Sequence, residues 1–285
     1  MRIVDLFDGK KNRLSFEVFP PKRGMPLEES KEIIKEMAAL NPDFISVTYG
    51  ALGNNSDNNV LVAKEVSDNG ILPLAHMTCI NSTKDKVEKE LEILKANGIK
   101  NILALRGDRP KDGSEVKSDF TYASDLIEFI KKKGDFCVGG ACYPEGHPES
   151  LGVEKDIDNL KKKVDAGCDF FVTQMFFDNN ILYNFMYRLL RAKIDIPVLA
   201  GIMPVTNNRQ IKGIIEISRT MLPAKFKAIV EKFGDNEKAM TQAGIVYALG
   251  QIIDLIANGF NYIHLYTLNK SSIAKAITEA LSDII

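Results

Sequence analysis

The chain has little that would commit it to metal, disulfide or membrane chemistry. Its 285 residues hold four cysteines and three histidines. Cys79, Cys137, Cys142 and Cys168 form no CxxC pair, and three of them sit in apolar, strand-like runs where a thiol packs as a small hydrophobe. That pattern argues against a disulfide framework and fits a reducing compartment. With no clustered Cys and His, zinc finds no ligand set. Lysine and arginine number 37 against 38 aspartates and glutamates, a formal net charge of −1. No basic field invites nucleic acid, and no polybasic run invites a membrane. The opening MRIVDLFDGKKNR lacks the apolar stretch of a signal peptide, and no apolar run reads as membrane-spanning. A cytoplasmic location is expected. Nor does a GxGxxG follow the first strand-like run, which weighs against a doubly wound dinucleotide fold.

What is present is a repeat of one pattern. SDNG-ILPLAHM, KANG-IKNILAL, VDAG-CDFFVTQM and IANG-FNYIHLYT each end a polar helical stretch at a glycine (Gly70, Gly98, Gly167, Gly259) and then turn apolar. Glycine after the last helical turn supplies the left-handed stop. The runs that follow are short and almost continuously apolar, as parallel strands covered on both faces are. Candidate strands are 14–19, 43–48, 72–78, 100–105, 136–142, 169–175, 196–202 and 261–267. Between them lie amphipathic stripes such as Val87, Leu91 and Leu94, opened by the cap candidates Ser82 and Thr83, and Val153, Ile157, Leu160 and Val164. Eight strands alternating with helices predict an α/β fold, a (β/α)8 TIM barrel spanning residues 1–285 as one domain. Segment 203–258 is long enough for extra helices before the last strand. The polar stretch 107–121 is a candidate lid.

Barrel enzymes place chemistry at the C-terminal ends of their strands. Polar residues gather there: Glu17, Thr48-Tyr49-Gly50, His76 and Thr78, Arg106-Gly107-Asp108, Tyr143 to Pro148, Gln174, and Tyr266-Thr267 with Asn269-Lys270. Within FEVFPP, Glu17 interrupts an apolar run, where a charge is costly unless paired or neutralised. It is either an ion-pair partner of Arg106 or Lys22, or a carboxyl held protonated by desolvation and able to act as a general acid. Arg106-Gly107-Asp108 reads as a turn with a charge pair or as part of a site. His147 suits fixing its loop, His264 suits a satisfied interior position, and Phe176-Phe177 suits packing. Asp156, Asn159 and Lys163 share one helical stripe, either a solvated face or, with Lys161 and Lys162, a receiver of nucleotide phosphate and ribose.

At these residues the chain resembles a known family. FEVFPPK, SVTYGA, HMTCI, ALRGD, ACYPEGHPE, LKKKVDAG, TQMFFD, GIMPV and HLYTLNK, in order from Leu14 to Lys270, are similar to the bacterial methylenetetrahydrofolate reductases. The resemblance implies a flavoprotein barrel with non-covalent FAD. It would reduce 5,10-methylenetetrahydrofolate to 5-methyltetrahydrofolate with NADH by a ping-pong route, in one-carbon and methionine metabolism. By motif position, Glu17 would be the general acid and Asp108 would favour the cationic substrate. Thr48 would contact the nicotinamide nucleotide. FAD contacts would be Tyr49, His76, Arg106, Gly107, Asp108, Tyr122, Ala123, Tyr143, His147, Ser150, Asp156, Asn159, Lys162 and Lys163. Folate contacts would be Asp108, Gln174, Gln210 and Lys270. Lys270 stands where the motif usually has arginine, so it lacks the bidentate fork for a carboxylate. Ile214 stands where some relatives carry an aromatic. A homo-oligomer and an electron-transfer partner subunit are further implications. The competing readings are another flavin-dependent barrel dehydrogenase of the proline dehydrogenase type, and a non-redox pterin-binding barrel of the methyltransferase kind.

Overall fold

A computed structural model describes residues 1–21, 27–49, 56–108, 117–218 and 220–285, with backbone alone at 56, 57, 212 and 215–217. Lys22, Gly50 and most of the candidate lid lie outside the described residues. Eight parallel strands close into a barrel in chain order: β1 (Arg13–Val18), β2 (Phe44–Val47), β3 (Leu72–Thr78), β4 (Asn101–Leu105), β5 (Cys137–Cys142), β6 (Phe170–Thr173), β7 (Val198–Ile202) and β8 (Tyr262–Tyr266). Each lies within a residue or two of the run predicted for it. Helices α1 (Glu28–Ala38), α2 (Ser56–Asp68), α3 (Lys84–Ala96), α4 (Ala123–Lys133), α5 (Val153–Asp165) and α6 (Asn179–Arg191) connect the first seven strands. The long segment before β8 holds α7 (Asn208–Ser218), α8 (Ala224–Phe233) and α9 (Glu237–Ala257), and α10 (Ser271–Ala280) follows β8.

The local signals act as expected. Gly70, Gly98, Gly167 and Gly259 all take positive φ, so each helix stops where an L side chain would be strained. Thr83 caps α3 by accepting from Lys86 N, and Val87, Leu91 and Leu94 are buried beneath it. Each such side chain contributes about 1.5–3 kcal/mol of transfer free energy. One sequence expectation needs correction. α9 is long and apolar enough to cross a membrane by length and composition. Its mean hydropathy comes from isoleucines, leucines and alanines spread around the helix. In the fold it packs against α6, α8, α10 and β7, as a barrel helix does.

Strand alternation separates two apolar clusters. Leu14, Phe16 and Val18 of β1 pack outward with Ile34 and Met37 of α1. The residues between them, Ser15 and Glu17, therefore point into the barrel. The N-terminal end of the barrel is plugged. Ile3 and Leu6, on a 3-10 turn, pack there with Phe44, Leu74, Leu103, Phe170 and Leu199. Arg2 pairs with Asp169 at 3.1 Å, and Ile3 N donates to Asn101 Oδ1 at 2.8 Å. Access to the interior is left to the opposite end, where the polar residues gather.

Candidate active site

Inside the barrel the side chains change character from bottom to top. Above the plug lies a neutral polar layer. Ser15 Oγ donates to Ile263 O at 3.2 Å, which leaves it to accept from His264 Nδ1 at 2.7 Å. Ser46 Oγ lies 3.4 Å from the other ring nitrogen. Burial pushes His264 down to about 3, so the ring is neutral, a satisfied interior residue as expected. One residue higher on each inward face come Glu17 and Tyr266, paired across β1 and β8. The Tyr266 hydroxyl donates to Thr173 O at 2.6 Å.

Glu17 has neither of its predicted ion-pair partners among the described residues. Arg106 gives both terminal nitrogens to Glu149, at 2.6 and 2.7 Å. Glu17 instead faces His76, with Oε2 3.7 Å from Nε2, its side chain only 12% exposed. Removed from water, its carboxyl is pushed from 4.5 up to about 8, and His76 is pushed down to about 3 by the same burial and by His264. The loop carrying the acid is pinned from β8. Thr267 Oγ1 donates to Glu17 O at 2.7 Å, Phe19 N donates to Asn269 Oδ1 at 2.8 Å, and Asn269 Nδ2 donates to Phe19 O at 2.9 Å. Thr48 Oγ1 and His76 Nε2 are buried polar atoms without a partner among the described residues. Native interiors seldom leave such atoms unpaired, so both fit contact with a polar ligand at this mouth.

A second group lines the β4–β5 side. Gly107, at φ +83, turns the chain after Arg106, whose Nε donates to Gly107 O at 3.3 Å. Asp108 follows, exposed, and its charge acts on Arg106 and Tyr143. The rings of Tyr143 and His147 meet edge-on at 4.6 Å. His147 fixes its loop as expected, its Nδ1 accepting from Glu149 N while its own N–H donates to Asp156 Oδ2. The α5 stripe is not a solvated face. Asp156 is buried, and Lys163 donates to Ala141 O at 2.7 Å with its ammonium disfavoured by burial. Asn159 Oδ1 accepts from Lys162 at 3.4 Å, and Ser150 Oγ donates to Gly152 O. Tyr122, exposed at the start of α4, stands beside buried Ala123. This set supplies cations, amide and hydroxyl donors, and an aromatic face, and such donors suit a dinucleotide bearing phosphates and a flat heterocycle.

A third group comes from β6, α7 and β8. Gln174 N donates to Cys142 O, and its Oε1 accepts from Met175 N. Gln210 and Asn207 close a capping box at the start of α7, and the Gln210 amide nitrogen has no partner among the described residues. Lys270 Nζ donates to Thr206 Oγ1 at 2.6 Å. Ile214 is buried with Phe177 and Phe226 in the cluster under α7 and α8, and Phe176 and Phe177 pack as expected. The Tyr49 hydroxyl donates to buried Glu90 on α3 at 2.7 Å, so this end of its side chain is engaged with a helix rather than the barrel interior. Sequence reasoning missed Glu149 and Thr206, the partners of Arg106 and Lys270. Glu145 was read at this strand end but without its partner: its Oε2 accepts from Met221 N and ties the β5 loop to the segment after α7. No spacing marks these, since each is defined by a contact between distant segments.

The family model described as methylenetetrahydrofolate reductase matches residues 2–282. The 5,10-methylenetetrahydrofolate reductase of Escherichia coli (strain K12) is 34% identical over 269 residues, 94% of this chain and 90% of that protein. The enzyme of the same name from Buchnera aphidicola is 36% identical over 271 residues, 94% and 91% of the two. A maize protein named methylenetetrahydrofolate reductase (NADH) 1 is 34% identical over 97% of this chain, which spans 49% of the plant protein. Among solved structures, a Clostridium thermocellum protein described as binding two copies of 5-methyl-5,6,7,8-tetrahydrofolic acid superposes with TM-score 0.70 at 14% identity, covering both chains fully. An oxaloacetate acetylhydrolase superposes at 0.54 and 15% identity over 99% of this chain and 84% of its own. At such identities the two structures speak for the barrel alone. The sequence matches favour a folate reductase over a proline dehydrogenase-like barrel.

Proposed function

The chain belongs to the methylenetetrahydrofolate reductase family, and from that premise we propose that residues 1–285 work as one FAD-dependent barrel that reduces 5,10-methylenetetrahydrofolate at the expense of NADH. The observation that carries this reading is Glu17. A carboxyl with no counter-cation among the described residues, held protonated near neutral pH at the C-terminal end of the barrel strands, suits a reaction that must deliver one proton to a substrate nitrogen.

The substrate's methylene bridge joins two nitrogens. Opening it to a cationic iminium requires a proton on the departing ring nitrogen, and Glu17 supplies that proton. Asp108, a carboxylate at the same rim, favours the cation electrostatically. Gln174 and the amide nitrogen of Gln210 offer hydrogen bonds to the pterin, and Lys270 offers a positive charge to the folate's carboxylates. Arg106, Gly107, Tyr143, His147, Ser150, Asp156, Asn159, Lys162 and Lys163, with Tyr122 and Ala123, would hold FAD, and Thr48 and His76 bring buried polar atoms to the same mouth. Bound FAD would supply the two-electron, hydride-carrying chemistry that no side chain provides. For this chain's residues the task is to bind, exclude water and hold the proton.

The test is an anaerobic titration of the purified protein. Yellow protein bleached by NADH and recoloured by methylenetetrahydrofolate is the expected result. Colourless protein that takes up no added FAD would sink the proposal.

A further inference from the structure

Glu17 and His76 face each other inside the barrel, and neither side chain has another bond among the described residues. Oε2 and Nε2 are 3.7 Å apart, and Nε2 is buried without a partner among the described residues. Nδ1 makes no protein hydrogen bond there either, so the tautomer is set by what faces Nε2. The pair can share one proton in two ways, as carboxylate with imidazolium or as carboxylic acid with imidazole. No lysine or arginine lies at ion-pair distance from Glu17 among the described residues. In such an interior the separated charges lose more hydration than their attraction returns. The neutral arrangement therefore wins. Burial acts on both groups in that sense, raising the acid to about 8 and lowering the base to about 3.

The surrounding groups agree. From β8, Tyr266 gives its hydroxyl to Thr173 O, and neutral His264 is satisfied by Ser15 and Ser46. Among the described residues β2 and its end bring Ser46 and Thr48. None of these carries a charge that would pull the proton off Glu17.

We propose that His76 is a positioning residue that holds Glu17 as a carboxylic acid, with the acid O–H aimed at Nε2 and the ring proton on Nδ1. This rests on Glu17 being the proton donor of the proposed reaction. The gap must close by roughly 1 Å to reach hydrogen-bond length, a tightening common when a site fills. An acceptor for the acid's O–H favours the protonated form and fixes the carboxyl rotamer. When substrate docks, the O–H bond of Glu17 breaks and an N–H bond forms on the departing ring nitrogen. The carboxylate left behind recovers a proton from solvent before the next turnover. His76 keeps its own proton throughout.

Two measurements test the pair. In the purified protein, nitrogen-15 NMR of the three histidines should find His76 neutral at pH 7, protonated on Nδ1, with Nε2 accepting. A cationic ring, or a proton on Nε2, would overturn the proposal, and this measurement needs no variant to fold. In His76→Gln an amide N–H at the Nε2 position can donate to the ionised carboxylate. The Glu17 midpoint, read by infrared or carbon-13 titration, should fall by about one pH unit, and the alkaline limb of folate reduction should fall with it. A residue that merely fills space would leave the midpoint where it was, and that result refutes the pairing. A shifted midpoint in a protein that reduces no methylenetetrahydrofolate upholds the pair and removes the proposed function. Normal reduction with an unshifted midpoint does the reverse.

Discussion

Glu17→Gln is expected to strengthen the fold while it abolishes folate reduction. The size follows from proton linkage. In the unfolded chain the carboxyl has its ordinary 4.5, and in the barrel about 8. Below pH 4.5 both states hold the proton and Glu17 carries no penalty. As pH rises from there the unfolded chain releases a proton that the folded chain keeps, so stability falls, and the loss saturates above pH 8. At 1.36 kcal/mol per pH unit the penalty is about 3 kcal/mol at pH 7 and about 5 kcal/mol above pH 8, order-of-magnitude values. Glutamine fills nearly the same volume and never ionises. Other acids disfavoured by desolvation, such as buried Asp156 and half-buried Glu145, occur in both chains and cancel in the comparison. Urea unfolding of the two proteins at pH 5, 7 and 8.5 reads the difference directly. The curves should nearly coincide at pH 5, with the variant's midpoint pulling ahead as pH rises. A gap that does not change with pH, or a native chain more stable than the variant at pH 8.5, would refute the reasoning. It would mean that Glu17 ionises in the barrel at an ordinary pKa.

Two further substitutions probe the rim. In α9, a Cβ at Gly244 would overlap the Val205 carbonyl, so Gly244→Ala must push the helix away from the segment that carries Thr206. A loss of roughly 1–3 kcal/mol in urea unfolding is expected, with a raised KM for folate and little change in FAD uptake, and an unchanged urea midpoint would contradict the contact. Lys270→Arg restores a planar fork toward a carboxylate and should lower the KM for methylenetetrahydrofolate by about fivefold without changing the rate of flavin reduction by the donor. An unaltered KM would mean that this side chain serves only to hold Thr206.

The barrel was legible because each βα unit writes itself locally. A glycine stop, an apolar run of fixed length and a polar residue at its end need no distant partner to be recognised, and Gly98 followed by 100–105 is such a unit. Glu17 was legible for the opposite reason, since a carboxylate inside FEVF contradicts its surroundings. What the sequence could not reveal was pairing across the mouth. The sequence offered Arg106 two acids, Glu17 and Asp108, whereas the turn at Gly107 and the course of the β5 loop bring it to a third, Glu149. Tyr49 misled for a related reason. Strand position puts it at the rim, but its hydroxyl satisfies buried Glu90 behind the wall.

The segment Tyr266-Thr267-Leu268-Asn269-Lys270 shows how the acid and the substrate end of the site are kept in register. Leu268 and Asn269 both adopt left-handed backbone, at φ 52 and 59. For leucine that conformation costs on the order of 1 kcal/mol and persists only where surrounding contacts over-determine it. Here they do. Tyr266 reaches across to Thr173 O on β6, Thr267 holds the backbone of Glu17, Asn269 makes two bonds to Phe19, and Lys270 holds Thr206 beside the capped start of α7. Five consecutive residues thus bridge β1, β6 and the α7 excursion. Straightening Leu268 and Asn269 would break the bonds to Phe19 and move Lys270 away from Thr206. The spacing between the carboxyl of Glu17, the proposed proton donor, and the amide of Gln210 is therefore tied to this strained turn, and releasing the turn would misalign both.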